Sequence, residues 1–560
     1  MKFNILFLSL CLCFFQMGNA QMNGTKGQKN ENYKQQISTD KIERPKIIVG
    51  LVVDQMRWDY LYRYYSKYVD NGFKRLIREG YNCQNTHINY SPTFTACGHT
   101  CIYTGSVPAL HGITGNDWYD YKYNQKIYCT TDTNYIGKGT KSTAGQMSPR
   151  NMKTTTIGDE LRLATNFRSK VIGIALKDRS SILPAGHAAN AAFWYDGKAH
   201  NFVSSSYYLD SLPNWVADFN NKKLAAAYLS QNWDLLYDKM KYTESTEDDM
   251  PFENPFKNET KASFIHKVSE LSTETSTEII RYTPFGNNFT FDFAKAAIEG
   301  EQLGMRGETD LLAISLSSPD YIGHQFGPNS VEQQDDFLRL DKEISTFLSY
   351  LDSTYGKNNY LFFLTADHGA AHIPDYLKTK NIPAGVFVYD TLEKILDKQM
   401  NFWYGPGDWI LAFENQHIYL NKELISTSKK DIEEIKTKLL DYTQNLPGVA
   451  NVFDLKNIAN ENYPAELLEN IKNSYYPNRS GDLFVNFEPA WFEGYEKGTT
   501  HGTIFNYDTH IPLIFFGWNI KAKEDFGDIK MTDIAATIAA LLHIQEPNGC
   551  IGKPIKGILK

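Results

Sequence analysis

Ile47-Ile48-Val49-Gly50-Leu51-Val52-Val53-Asp54 is a near-continuous apolar run that ends in a carboxylate. Unbroken rather than alternating hydrophobicity marks a strand covered on both faces, as in a parallel sheet flanked by helices. The arrangement recurs three times. Val171-Ile172-Gly173-Ile174-Ala175-Leu176 runs into Lys177-Asp178-Arg179, Leu311-Leu312-Ala313-Ile314-Ser315-Leu316 into Asp320 and His324, and Leu361-Phe362-Phe363-Leu364-Thr365 into Asp367-His368. In open α/β sheets ligands bind beyond the carboxyl ends of the strands, so four strands that deliver charge at the same end predict a site there.

Between the third and fourth runs, Val331, Phe337, Leu340, Ile344, Phe347, Leu348 and Leu351 form one face of a helix, for which Ser330 and Gln333 predict a capping box. A strand–helix–strand unit implies a parallel pair. Ile511-Pro512-Leu513-Ile514-Phe515-Phe516 predicts a further strand, with Pro512 at its beginning or at a sheet edge. A last helix carries Met531, Ile534, Ala535, Ile538, Leu541 and Leu542 on one face. The expected fold class is α/β, a mostly parallel central sheet flanked by helices.

The 560 residues exceed what one core organises, so inserted material is expected. Residues 190–300, rich in Tyr, Trp and Asn, are predicted as insertions with helices over the strand ends. Residues 374–496 predict a small antiparallel sheet from His417 to Leu420, Val449 to Phe453 and Leu483 to Phe487, backed by a helix from Asp431 to Leu446. At the other end of the chain, Lys2, the apolar stretch Ile5 to Phe15 and Gly18-Asn19-Ala20 read as a cleaved secretory signal over residues 1–20. That stretch is short for crossing a bilayer, and no later segment is longer and as apolar, so no membrane span is expected. A polar, lysine-rich leader fills residues 21–45 and the folded domain runs over 46–560. The expected location is the periplasm or the outside of the cell. A net charge of -8 argues against a nucleic-acid partner, whose backbone is held by Lys and Arg. Beyond the signal stand Cys83, Cys97, Cys101, Cys129 and Cys550, an odd number that leaves at least one unpaired, in a compartment that accommodates one or two disulfides.

Ser91-Pro92-Thr93-Phe94-Thr95-Ala96-Cys97-Gly98-His99-Thr100 passes from an extended segment into a helix start. Thr95 there meets unpaired backbone N–H groups and the positive end of the helix dipole, a place that favours an anion such as phosphate. Most threonines at helix starts are only caps. The strand ends alter that balance. Asp54, Asp320, His324, Asp367 and His368, with His501 from Gly498-Thr499-Thr500-His501-Gly502-Thr503, form a mixed oxygen and nitrogen donor set suited to zinc. Six donors are too many for one tetrahedral ion, so two ions are expected.

On these residues the chain resembles the alkaline phosphatase superfamily, and within it the phosphate-irrepressible alkaline phosphatases of the PafA type, relatives of the nucleotide pyrophosphatase/phosphodiesterases. The resemblance spans the chain from Lys46 onward. It rests on Val52-Val53-Asp54, Thr95 with Gly98-His99 and Tyr103-Thr104-Gly105, His111-Gly112-Ile113 through Asn116, Lys177-Asp178-Arg179, Ser318-Pro319-Asp320 through His324, Ala366-Asp367-His368-Gly369 and His501-Gly502-Thr503.

The resemblance implies a fold with inserted cap regions around an alkaline-phosphatase-like sheet, and two zinc ions per chain. Asp320, His324 and His501 hold one ion; Asp54, Asp367 and His368, with Thr95, hold the other. Thr95 is then the nucleophile that forms a covalent phosphothreonine, and Asn116, Lys177 and Arg179 meet the non-bridging phosphate oxygens. A monoester presents a dianion that two cationic side chains match, so Lys177 and Arg179 point to phosphate monoesters, with inorganic phosphate as product and ligand. A monomer is expected. The nearest alternative is a phosphodiesterase or nucleotide pyrophosphatase on the same fold, and the more distant one a secreted metal-binding module without turnover. A sulfatase needs a modified Cys or Ser in a Cys/Ser-x-Pro-x-Arg context, which Cys97-Gly98-His99-Thr100-Cys101 does not supply.

Overall fold

The Ile47–Val53 strand lies between two parallel partners, Asp310–Leu316 on one side and Tyr360–Thr365 on the other, and all of its residues are buried. That double coverage is why its sequence has no polar alternate positions. The structure, a computed structural model, describes residues 42–273 and 275–559. The signal sequence and the leader up to residue 41 lie outside the described residues. Val171–Ala175 adds a fourth parallel strand beside Asp310–Leu316.

The register explains why the charged groups meet. Val52 pairs with both Ser315 and Thr365, and Ala175 pairs with Ser315. Asp54, Asp320, Asp367 and Lys177 therefore leave four adjacent strands at one edge. Among the described residues the full sheet has eleven strands. Helices Thr95–Thr104, Asp178–Ala185, Phe285–Glu301, Ser318–Phe326 and Val331–Tyr355 accompany it, and strand pairings are mixed toward both ends.

Four expectations change. The stretch that begins near residue 190 opens with two more strands of the central sheet, Ala191–Asp196 parallel to Val171–Ala175 and Asn201–Ser205 antiparallel to the first. Helices follow only later, at Asn214–Asn221, Leu224–Leu229 and Phe285–Glu301. The Pro512 strand, His510–Gly517, is interior and antiparallel, with Tyr81–His87 and Tyr360–Thr365 on its two sides. Its pairing with Tyr81–His87 shifts register between Ile511 and Leu513, which places the residue that lacks an N–H in a bulge. Ser330 caps its helix by accepting from the Gln333 N–H at 3.0 Å, but the Gln333 side chain donates to the Pro319 carbonyl at 3.3 Å instead of returning to Ser330, so there is no capping box. The five cysteines among the described residues are all free, four of them buried, and no disulfide joins them.

The small sheet is antiparallel, as expected, with a fourth strand Ile410–Glu414 beside His417–Leu420, Leu483–Phe487 and Val449–Asp454. Helix Ile432–Gln444 backs it, sharing its apolar cluster through Ile435 and Leu439. Gly385–Val388 pairs in parallel with Trp491–Gly494 and carries Tyr389 and Tyr495 just past its ends, their rings 4.9 Å apart. Among the described residues no helix is long and apolar enough to cross a membrane.

Helix Thr95–Thr104 presses closely on the Asp367 loop. A Cβ on Gly98 would lie 2.3 Å from the Asp367 carbonyl oxygen and 2.7 Å from its Cβ. Gly98→Ala is expected to cost about 1–3 kcal/mol of stability by overpacking against backbone, measured as a shift in chemical denaturation midpoint; an unchanged midpoint would show that the helix can back away.

Candidate active site

Thr95 is the first residue of its helix, after Phe94 in extended conformation, and the N-cap residue Phe94 offers no side chain to cap this end. Its hydroxyl is therefore not spent on capping. Thr95 is 1% exposed, and its Oγ1 lies 3.3 Å from His368 Nε2. Asn116 Oδ1 accepts from the Ala96 N–H at 3.0 Å, which leaves the Asn116 amide nitrogen as a donor beside Thr95.

The three imidazoles share one design. His324 Nδ1 donates to the Thr499 carbonyl at 2.8 Å, His368 Nδ1 to the Gly369 carbonyl at 2.9 Å and His501 Nδ1 to the Thr93 carbonyl at 2.7 Å. Each Nε2 is thus left as a lone pair directed at carboxylates: His324 at 3.1 Å and His501 at 3.7 Å from Asp320 Oδ1, His368 at 3.5 Å from Asp54 Oδ1 and 3.4 Å from Asp367 Oδ2. A backbone acceptor on one ring nitrogen is the usual device that fixes the tautomer of a metal-ligating histidine. Burial, with His368 and His324 alongside, holds His501 well below the ordinary imidazole value, so it stays neutral.

Donor atoms converge in two groups, Asp320, His324 and His501, and Asp54, Asp320 and His368. Asp320 therefore reaches both groups rather than one, and Asp367 stands against His368 at the side of the second. Burial and the neighbouring Asp367 carboxylate raise the Asp54 carboxyl well above its usual range. Asp320 is buried too, but His324 and Lys177 hold it well below that range. Asp54 Oδ1 and Asp367 Oδ2 are buried and accept no hydrogen bond. One ammonium faces this cluster: Lys177 Nζ lies 2.7 Å from Asp54 and 2.5 Å from Asp320. Three buried carboxyl groups facing one ammonium, with imidazoles that each present Nε2 and two orphaned carboxylate oxygens, are the donors that a divalent transition ion takes. The residues fit zinc.

Arg179 is the second residue of helix Asp178–Ala185, for which Lys177 is the N-cap residue. Its guanidinium donates to the Tyr128 hydroxyl at 3.2 Å, while its buried Nε has no partner. Tyr128 in turn donates to Asp178. Motif reasoning does not assign roles to several supporting residues. His99, quoted there only as a neighbour of Thr95, contacts the Thr95 carbonyl through Nδ1 at 2.9 Å and Ser315 Oγ through Nε2 at 2.8 Å, with Asp367 Oδ2 3.2 Å from Nδ1. Tyr128 and Tyr321 flank the cationic pair, the Lys177 ammonium standing 5.0 Å from the Tyr321 ring centroid. Nothing in the local sequence marks either tyrosine. Two cavities open from the cluster: one of about 660 Å³ includes His324, Tyr282, Tyr321 and Thr499, and one of about 610 Å³ includes Asn116, Phe94, Glu493 and His501; Tyr389 and Tyr495 border both.

Residues 48–510 match the family described as type I phosphodiesterase / nucleotide pyrophosphatase. Over 560 residues, 100% of both chains, the protein is 45% identical to one named alkaline phosphatase PhoV from Synechococcus elongatus. A relative from Myroides odoratus, 48% identical over 524 residues, 93% of this chain and 96% of that one, is named calcium-transporting ATPase. The crystal structure of wild-type alkaline phosphatase PafA matches with a TM-score of 0.91 and 44% identity, covering 93% of this chain and 100% of that one.

If Arg179 grips phosphate with its unpartnered guanidinium edge, Arg179→Ala should raise the inhibition constant of inorganic phosphate about 10–100-fold, the worth of a charge-assisted hydrogen bond of about 1.5–3 kcal/mol. An unchanged constant would remove it from the site.

Proposed function

The chain belongs to the type I phosphodiesterase / nucleotide pyrophosphatase family, and from that premise we propose that it is an exported alkaline phosphatase that uses two zinc ions and hydrolyses phosphate monoesters through a phosphothreonine at Thr95. The observation that carries the reading is Thr95 itself, an uncapped hydroxyl 3.3 Å from His368 Nε2 at the edge of an electron-rich cluster of three carboxylates and three imidazoles. Identity of 44–45% to proteins named alkaline phosphatases supports it. Export rests on the signal-like first twenty residues.

Asp54, Asp367 and His368 would hold one ion and Asp320, His324 and His501 the other, with Asp320 near both. Bound there, the ions supply the positive charge that lowers the pKa of a hydroxyl and stabilises a leaving oxygen. The rest falls to the chain. The Thr95 oxygen forms a bond to phosphorus as the bond to the leaving oxygen breaks, and water later cleaves the phosphothreonine to regenerate Thr95 and release phosphate. The Asn116 amide and the Arg179 guanidinium are fixed donors for the equatorial oxygens, where charge accumulates. Lys177 adds the second full charge that a monoester dianion matches and a diester monoanion does not. Removal of a terminal phosphate from a nucleotide, in keeping with the name of the Myroides odoratus relative, uses the same attack on a dianionic group.

The 660 Å³ cavity favours one second reading. Its tyrosines next to His324 could seat the extra arm of a diester, as a phosphodiesterase requires. Rates on an aryl phosphate and its diester decide between the two; diester preference by orders of magnitude sinks the monoesterase.

Two outcomes are expected. Chelation abolishes monoester hydrolysis and zinc restores it, with metal analysis returning two ions per chain, whereas full activity of metal-free protein rejects the two-ion reading. Lys177→Ala lowers monoester turnover about 100–1,000-fold, the effect of removing one transition-state donor, and diester turnover far less; equal losses undo the argument for monoesters.

A further inference from the structure

We propose that Gln55 is a positioning residue that links the two ligand groups and selectively holds the Asp320, His324 and His501 group in its binding geometry. The inference rests on the two-zinc reading. Gln55 follows Asp54 directly and is 1% exposed. Its side-chain amide donates to Asp320 Oδ1 at 2.7 Å, and its backbone N–H donates to Asp367 Oδ1 at 3.2 Å. One residue thereby bonds two of the three carboxylates, Asp367 through its peptide and Asp320 through its side chain, and directly follows the third, Asp54, in the chain.

The backbone makes this possible. Gln55 has φ of 64°, a left-handed conformation disfavoured for any residue with a Cβ. The chain turns at the end of its strand so that the peptide N–H meets one carboxylate while the side chain crosses to another. Strained conformations of this kind persist where the surroundings over-determine them, and they concentrate at functional sites.

The facing helix is cut to receive the amide. A Cβ on Gly323, in the turn between Asp320 and His324, would lie 1.9 Å from Gln55 Oε1. Glycine inside a helix weakens it, and here its absence of a side chain is what admits the Gln55 head group.

Asp320 needs such a partner. Its Oδ1 faces both His324 and His501, while Oδ2 meets Lys177. A carboxylate turns broadly about its last torsion, so a ligand oxygen that must meet an ion with two imidazoles is fixed by what bonds it from behind. The Gln55 amide supplies that bond. Asp320 enters both groups, but the oxygen the amide bonds, Oδ1, is the one that faces His324 and His501, and the backbone bond to Asp367 does not depend on the side chain, so losing the amide should loosen that group more than the other.

Zinc binding to the purified protein, titrated against a chromophoric chelator with metal analysis of stoichiometry, tests this. Gln55→Met, which keeps the shape and removes the donor, should weaken one of two sites about 10–100-fold, the usual effect of losing such a supporting bond. The weakened site should be the one lost in His501→Ala, not the one lost in His368→Ala. Gly323→Ala should do the same in the native background, and add nothing in a Gln55→Ala background, where no amide is left to displace. Gln55→Met with two native-strength sites, or with both weakened alike, overturns the proposal, as does an additive Gly323→Ala. Native protein that binds fewer than two zinc ions rejects the two-zinc reading instead.

Discussion

The structure is governed by the mutual repulsion of Asp54, Asp320 and Asp367, three carboxylates buried at one edge of one sheet. Moving a single ion out of water costs several kcal/mol even after relaxation, and like charges at close range add to that. Lys177 offsets part of it, by bridging two of the three. Two of the imidazoles do not do the same as cations: burial keeps His368 below its ordinary value, and burial with His368 and His324 alongside keeps His501 well below its own. A site that concentrates negative charge and lone pairs in this way is less stable empty than filled. Its neighbours accordingly hold it in place: three backbone carbonyls fix the imidazoles, His99 ties the Thr95 helix to Ser315, and Gln55 spans the carboxylates.

What could be read from the sequence follows from this constraint. A strand buried on both faces must be apolar throughout, and a charged residue directly after it stands out, so Asp54, Lys177, Asp320 and Asp367 were visible against their strands. His501 was not marked by any strand and came only through its motif. Other features had no such contrast. Ala191–Asp196 and Asn201–Ser205 carry aromatic and polar residues because they lie toward one end of the sheet, and their composition resembles that of the loops that follow. Pro512 correctly announced a break in hydrogen bonding, but a bulge inside the sheet satisfies that requirement as well as an edge does. The Gln333 side chain was expected on its own helix and instead secures Pro319, at the start of the helix that carries Asp320 and His324.

Supporting residues were the least legible class, and the reason is physical. A metal ligand or nucleophile must be one of a few chemical types, whereas a positioning contact needs only a donor or acceptor at the right place. Glutamine, tyrosine and serine are common everywhere, so Gln55, Tyr128 and Ser315 acquire meaning only from where the fold puts them. Gln55 shows this best, since its role depends on a positive φ and on a glycine in a helix more than 260 positions away in the chain.

The same contrast separates phosphoryl recognition from leaving-group recognition. Most of the groups around Thr95 come from strand ends of the central sheet and their following loops, rigid elements with fixed register, with Asn116 and His501 added from loops elsewhere. The outer walls of both cavities come partly from residues 374–496, where Tyr389 and Tyr495 stand 43% and 72% exposed at the ends of a two-stranded pair. Exposed rings on a short pair hold an ester arm with less precision than buried donors hold phosphate oxygens, because each must be ordered on binding. An enzyme built this way grips the group that all its substrates share and makes looser contacts with the part that differs, so discrimination should come chiefly from the charge on phosphorus and only secondarily from the shape of what departs.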